Sequence, residues 1–279
     1  MPTIQLDDAR ISYQDMGRGE PVVLLHSSAC SGTQWRGFAQ DYGHRFRLLA
    51  PDLYGYGAST SWLGRGPLRL AHEARIAEAL IGRCGEPVHL VGHSYGGAVA
   101  LKLAAERPAM LRSLTLIEPV AFHLLWHSDP AGGADFAEIR RLAEGVSAAV
   151  ARGDRVGAMQ RFVEYWSGAG AWARLSDKQR EAVLLTAPKI PLDFWATIAE
   201  PKLLRDYAAV TLPTLLLRGD QSPAPARRIT DLLASNLPQA AMKIIHGAGH
   251  MLPLTHGAVV NPIVAQHLLV NAGKLPQAA

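Results

Sequence analysis

A serine flanked by glycines is the residue of this chain best placed to do chemistry. Ser94 stands in Gly92-His93-Ser94-Tyr95-Gly96, after the apolar run Pro87-Val88-His89-Leu90-Val91 and before a helical stretch reaching about Glu106. A hydroxyl is a weak nucleophile until a neighbouring base takes its proton. A sharp strand-to-helix turn presents such a hydroxyl at the carboxyl end of a sheet, and side chains at the two glycines would collide with neighbouring chain. The same turn sets the Tyr95 backbone N–H at a helix N-terminus, where negative charge developing on a substrate oxygen is stabilised. G-x-S-x-G alone recurs by chance. Its place between a buried strand and a helix gives it weight.

The elements that would hold this turn can be read around it. Ile4–Leu6 and Arg10–Gln14 read as short strands about the turn at Asp7-Asp8. Pro21–Leu25, Phe46–Ala50, Pro87–Val91 and Leu114–Ile117 are apolar runs of the kind found in strands buried on both faces. Ala71–Cys84 carries apolar residues at helical spacing and ends near Gly82 and Gly85. Pro213–Leu217 and Met242–His246 are later strands, with a helix near Arg227–Asn236 between them. Strands alternating with helices over short joins predict βαβ units and a parallel sheet.

Between Pro119 and about Val210 the strand pattern gives way to helices. Asp135-Phe136-Ala137-Glu138 and Ser176-Asp177-Lys178-Gln179 have the residue types of a capping box. The stretch is also rich in large side chains, among them Phe122, Trp126, Phe162, Tyr165, Trp166, Trp172, Phe194 and Trp195. Such residues mostly pack helices together. Some are expected to line an apolar concavity over the sheet, and Phe122, Trp126, Trp166 and Trp195, with Ser27, are the pocket candidates. The division expected is a core of residues 1–119 and 211–279 with a helical cap of residues 120–210 inserted after the sixth strand.

Four segments together, in this order and near these spacings, resemble the α/β-hydrolase fold superfamily over nearly the whole chain. They are Leu24-Leu25-His26-Ser27-Ser28, Pro51–Ser59 with its Tyr54-Gly55-Tyr56-Gly57, Gly92–Gly97, and Gly247-Ala248-Gly249-His250. The resemblance implies an α/β fold: a mostly parallel eight-stranded sheet with helices on both faces and a helical cap where the helical stretch lies. It implies that the Ser28 amide joins that of Tyr95 as an oxyanion hole. The usual His-Gly-x of that loop reads His26-Ser27-Ser28 here, so a glycine is replaced. Asp52 reads as a loop-fixing carboxylate rather than a reacting one.

Eleven histidines compete for the role of base. His250 lies in a glycine-rich loop after the last strand, as the superfamily's histidine does. His246 and His256 read as ordinary polar residues, and His93 is expected to direct its ring away from the site. His72-Glu73 lacks the second histidine of a zinc-protease helix. A carboxylate must hold the imidazole in one tautomer. Many relatives place it after the seventh strand as Gly-x-x-Asp, but Gly219 is followed by Asp220, Gln221 and Ser222. A subset that includes the haloalkane dehalogenases places it at the end of the sixth strand, which here is Glu118. Glu118 is preferred, and Asp220 stays open as the alternative acid.

The leading expectation is hydrolysis of an ester or related acyl bond in a small, mostly apolar substrate, through an acyl-enzyme on Ser94. A carbon–carbon bond hydrolase of ring-cleavage type, a lyase or cofactor-independent oxygenase, and a small-molecule receptor stay open on the same fold. A serine in place of aspartate excludes the dehalogenase and epoxide hydrolase chemistries of this fold. No metal or organic cofactor is expected. The chain has 279 residues, 48% hydrophobic and 19% charged, which is globular composition. Its net charge of +4 is scattered, with no basic run to mark nucleic-acid binding. Cys30 and Cys84 lie in unrelated contexts, which fits two free thiols in a reducing cytoplasm. No signal peptide and no membrane span are read, and a monomer or homodimer is expected.

Overall fold

The computed structural model describes residues 1–128 and 133–273. Eight strands, β1 (Thr3–Leu6), β2 (Ala9–Gly17), β3 (Glu20–Leu25), β4 (Phe46–Pro51), β5 (Val88–His93), β6 (Leu111–Ile117), β7 (Thr214–Gly219) and β8 (Ala240–Ile245), form one sheet. Their order is β1-β2-β4-β3-β5-β6-β7-β8. The first two pairings, β1 with β2 and β2 with β4, are antiparallel, and all others are parallel. This is the mostly parallel eight-stranded sheet expected from the sequence.

Helices α1 (Arg36–Tyr42), α2 (Leu70–Cys84) and α3 (Tyr95–Glu106) cross between early strands. Helices α4 (His123–Ser128), α5 (Gly133–Ala151), α6 (Arg155–Ser167), α7 (Ala171–Arg174), α8 (Asp177–Leu185) and α9 (Ile190–Ile198) all fall between β6 and β7. Helix α10 (Ala224–Asn236) joins β7 to β8, and α11 (Leu252–Thr255) and α12 (Gly257–Val270) follow β8. None of the described helices is long and apolar enough to cross a membrane.

Both sheet faces are covered, which is why the central strands read as unbroken apolar runs. Val23 and Leu25 of β3 join a cluster with α2, α3 and α10, while Val22 and Leu24 join Phe38 of α1 and Val260 and Val264 of α12. Strand β6 begins three residues before the expected Leu114, at Leu111. Its first residues include Arg112, paired with Glu86 at 2.6 Å, and Ser113, bonded to His89 at 2.7 Å. Those polar side chains interrupt the apolar run. The capping box at Ser176 forms. Asp135 instead lies inside the first turn of α5, which starts at Gly133. A carboxylate there still favours the helix through its dipole.

The helical excursion is fastened to the sheet domain by ion pairs as well as by apolar packing. Lys102 of α3 meets Glu200 at 2.9 Å. Lys189, just before α9, pairs with Glu73 of α2 at 3.0 Å and with Asp193. All three are buried, and so are their partners Tyr56 and Tyr95. Charges removed from water are tolerated only when hydrogen bonds satisfy them. Glu73 accepts from Tyr95 Oη, Tyr54 N and Lys189 Nζ, and Asp193 accepts from Ser28 Oγ, Tyr56 Oη and Lys189 Nζ.

Candidate active site

Ser94 follows β5 directly and is the N-cap residue of α3, with φ 55° and ψ −117°, a conformation L-residues rarely adopt. A Cβ on Gly92 would stand 2.3 Å from the Gly96 carbonyl oxygen, and one on Gly96 would stand 2.5 Å from the Leu25 carbonyl. Both glycines are therefore required by close backbone approach. The strained turn is held by Ser94 N–H donating to Ile117 O at 2.9 Å and by Val120 N–H donating to Ser94 O at 3.2 Å.

His250 reaches Ser94 from the loop after β8. Its Nε2 lies 2.9 Å from Ser94 Oγ, and its Nδ1 lies 2.7 Å from Glu118 Oε2. An ionised carboxylate can only accept, so Nδ1 carries the proton and Nε2 is free to accept from the serine. Glu118 is fully buried one residue beyond β6, with φ 45°. Its other oxygen accepts from Gly219 N–H at 2.6 Å and from Ser222 Oγ–H at 2.5 Å. Asp220 does not join this group. It accepts from Gly247 N–H at 2.9 Å and pairs with the exposed His246 at 3.0 Å. Those contacts hold its carboxyl below the usual carboxylate range.

The loop after β3 faces Ser94 from the other side. Ser27 stands where the superfamily has glycine. Its N–H and its hydroxyl both donate to Gln34 Oε1, at 3.0 and 2.9 Å, so the added side chain has a partner. The Ser27 amide is thereby occupied. Ser28 borders the same cavity as Ser94, its hydroxyl donating to Asp193 Oδ2 at 2.5 Å. The Tyr95 N–H is the first of α3, among the helix N–H groups that have no intrahelical acceptor.

His93 is not among the residues lining the cavity at Ser94, but its ring is not idle. Its Nε2 donates to the His250 carbonyl at 2.9 Å, and its Nδ1 accepts from Gln34 Nε2 at 3.2 Å. Burial pushes its pKa down to about 3, so the ring is neutral, as these two bonds require. Gln34 and His93 thus tie the Ser27 loop to the His250 loop. His26 is likewise buried, with its pKa lowered to about 4. Its Nδ1–H donates to Ser27 O at 2.8 Å and its Nε2 accepts from Leu53 N–H at 3.0 Å. Asp52 fixes its loop through the amides of Gly32 and Ala58, at 2.8 and 3.0 Å. Sequence reasoning missed Gln34, Lys189 and Asp193. The contacts that give them their places, Gln34 with His93, Asp193 with Tyr56 and Lys189 with Glu73, join remote parts of the chain, so no local pattern marks them.

Ser27, Phe122 and Trp166 line the space about Ser94, and the Trp166 ring packs 4.1 Å from that of His250. Trp126 and Trp195 do not. They are 62% and 61% exposed and line a separate groove with Phe136, Arg140 and Ile198. A helix presents aromatics on any face, and these two sit on the faces of α4 and α9 turned from the serine. Among the described residues, no group of three His, Cys, Asp or Glu could hold a metal ion.

The profile of the alpha/beta hydrolase family matches residues 22–263. A pimeloyl-[acyl-carrier protein] methyl ester esterase of Nitrosomonas europaea is 25% identical over 246 residues, covering 87% of this chain and 93% of the relative. A 2-hydroxy-6-oxo-6-phenylhexa-2,4-dienoate hydrolase of Burkholderia cepacia is 25% identical, covering 94% and 92%. The solved structure of a thermophilic esterase from Thermogutta terrifontis superposes with a TM-score of 0.78 at 21% identity, over 97% of this chain and 99% of the other. With a matched profile over most of its length and the fold of that solved structure, this chain belongs to the alpha/beta hydrolase family and is a hydrolase.

Proposed function

We propose that this hydrolase cleaves a carboxylic ester, or a related acyl bond, of a small and mostly apolar substrate through an acyl-enzyme on Ser94. The observation that carries the reading is the continuous hydrogen-bonded path from Ser94 Oγ through both nitrogens of His250 to Glu118. In the reaction, His250 Nε2 takes the serine proton as Oγ attacks the carbonyl carbon, and Glu118 stabilises the imidazolium. The Tyr95 and Ser28 amides hold the oxyanion. His250 then gives its proton to the departing alcohol oxygen. Water, deprotonated by the same nitrogen, releases the acid. The excursion of residues 120–210 acts as a cap, and Trp166 shields the imidazole from water.

A carbon–carbon bond hydrolase of the ring-cleavage type is the second reading, favoured by the similarity to the Burkholderia cepacia enzyme. A dienoate substrate carries a carboxylate, which calls for a cationic partner. No lysine or arginine is among the described residues lining the cavity at Ser94, which supports the ester instead. The test is steady-state hydrolysis of 4-nitrophenyl acetate by wild type and Ser94→Ala. Sustained turnover lost in the variant is expected. Turnover that survives the substitution would remove Ser94 from the mechanism, and no turnover by wild type would move the reading to the carbon–carbon substrates.

A further inference from the structure

Ser94 stands between two spaces of very unequal size. One is a cavity of about 650 Å³, within the range of sites that take drug-sized molecules. Gln34, His250, Met251 and Leu254 border it from the sheet side, and Trp166 and Val183 border it from the cap. The other is a recess of about 20 Å³, bounded by Tyr95, Val120, Phe122, Ile190 and Phe194. That is room for about one methyl-sized or water-sized group. Its walls are packed: Phe122 stacks on Phe194 at 5.9 Å and on Trp166 at 6.3 Å, and Ile190 is fully buried.

The chemistry assigns the two ends of an ester to these spaces. The alcohol oxygen must be protonated as it departs, so it lies within hydrogen-bond reach of His250 Nε2. His250 borders the large cavity and not the recess. With Ser94 Oγ, the oxyanion and the leaving oxygen placed, one substituent of the tetrahedral carbon remains, the acyl chain. It faces the recess beside Tyr95 and Val120. Resting on the ester reading above, we propose that the enzyme selects esters of short acyl groups, acetyl to about propionyl, with bulky apolar alcohols or phenols. Phe122 and Ile190 set the acyl limit. Extra methylenes forced into a packed site cost about 1–3 kcal/mol, which is about five- to 150-fold in rate.

Two isomeric esters test the orientation. Octyl acetate and methyl nonanoate share one formula and differ only in which side of the ester is long. The expected result is kcat/KM at least about tenfold higher for octyl acetate, with 4-nitrophenyl acetate likewise above the octanoate. Phe122→Ala, and independently Ile190→Ala, should move the acyl-length optimum toward butyrate or hexanoate, read as a rise of at least about fivefold in the ratio of hexanoate to acetate kcat/KM. Equal or faster hydrolysis of methyl nonanoate, or a preference that rises with acyl length in the wild type, would overturn the assignment while leaving the serine mechanism standing. Failure to hydrolyse any ester would instead bring down the ester reading, and this proposal with it.

Discussion

Replacing Glu118 by glutamine would preserve the shape of the site and reverse one hydrogen bond. One oxygen of Glu118 accepts from Gly219 N–H and Ser222 Oγ–H at 2.6 and 2.5 Å, and the other accepts from His250 Nδ1–H at 2.7 Å. In the glutamine side chain the carbonyl oxygen stays with the two fixed donors, because an NH2 group there would oppose N–H and O–H. The NH2 then faces Nδ1. To accept from it, Nδ1 gives up its proton and Nε2 takes one. Nε2 is the atom 2.9 Å from Ser94 Oγ, and as N–H it no longer accepts from the serine. In the proposed mechanism acylation and deacylation use the same nitrogen, so both would suffer. In serine proteases the corresponding acid-to-amide change lowers turnover about 10⁴-fold, which is about 5.5 kcal/mol of barrier. The loss expected here is about 10³- to 10⁴-fold in kcat for 4-nitrophenyl acetate. Asp220→Asn is the matched control, and thermal unfolding of both variants separates lost chemistry from lost fold. Glu118→Gln within about tenfold of wild type, with Asp220→Asn deeply impaired, would refute the tautomer argument and move the acid to Asp220.

Other perturbations follow from the same geometry. Trp126→Ala and Trp195→Ala should leave kcat/KM within about twofold, whereas Trp166→Ala should lower it by about tenfold through misplacement of the imidazole it packs upon; equal effects from all three would remove Trp166 from that role. Lys189→Met leaves Glu73 and Asp193 buried without their shared cation, a loss of about 3–5 kcal/mol in urea unfolding; a change below about 1 kcal/mol would mean water already reaches the cluster. His26 and His93 have pKa values of about 4 and about 3 in the folded chain, against 6.5 for an unburied histidine. The unfolded chain therefore binds more protons between those limits, and stability falls as pH drops from about 6.5 toward 4. Calorimetry should record a lower Tm at pH 4.5 than at pH 7, by an amount equivalent to a few kcal/mol; a flat Tm across that window would show the two rings already protonated or exposed.

Much of the sheet and the serine turn was legible because their causes are local. Strands buried on both faces must be apolar throughout, and the turn at Ser94 admits only glycine at 92 and 96. The opening of β6 was not legible, since Arg112 and Ser113 are buried by partners in other segments. The Lys189 cluster was hidden for the same reason. Lys189 and Asp193, four apart on a helix, have the spacing of an ordinary surface pair. Only the arrival of Glu73, from 116 residues away, makes them a buried group fastening the helices between β6 and β7 to α2. Aromatic type likewise told nothing of direction: Phe122 and Trp166 point to the serine, while Trp126 and Trp195 point to solvent.

The serine at position 222, which leaves the Gly-x-x-Asp position without its acid, has a physical explanation in Glu118. The Ser222 hydroxyl lies 2.5 Å from Glu118 Oε1. An aspartate at 222 would set a second carboxylate against the first, and two anions at that distance cannot both stay ionised, so one would take up a proton. Serine is small, neutral and a donor, and it satisfies the oxygen that His250 does not use. Glu118 in turn must turn its backbone to φ 45° to send its side chain across the end of β6, a strain of about 1 kcal/mol or more. Its amide donates to Leu217 O at 2.9 Å, and its side chain accepts from the Gly219 amide, so both contacts with β7 hold the strained residue in place. The acid at 118 and the hydroxyl at 222 are thus one arrangement, in which each residue is intelligible only with the other present.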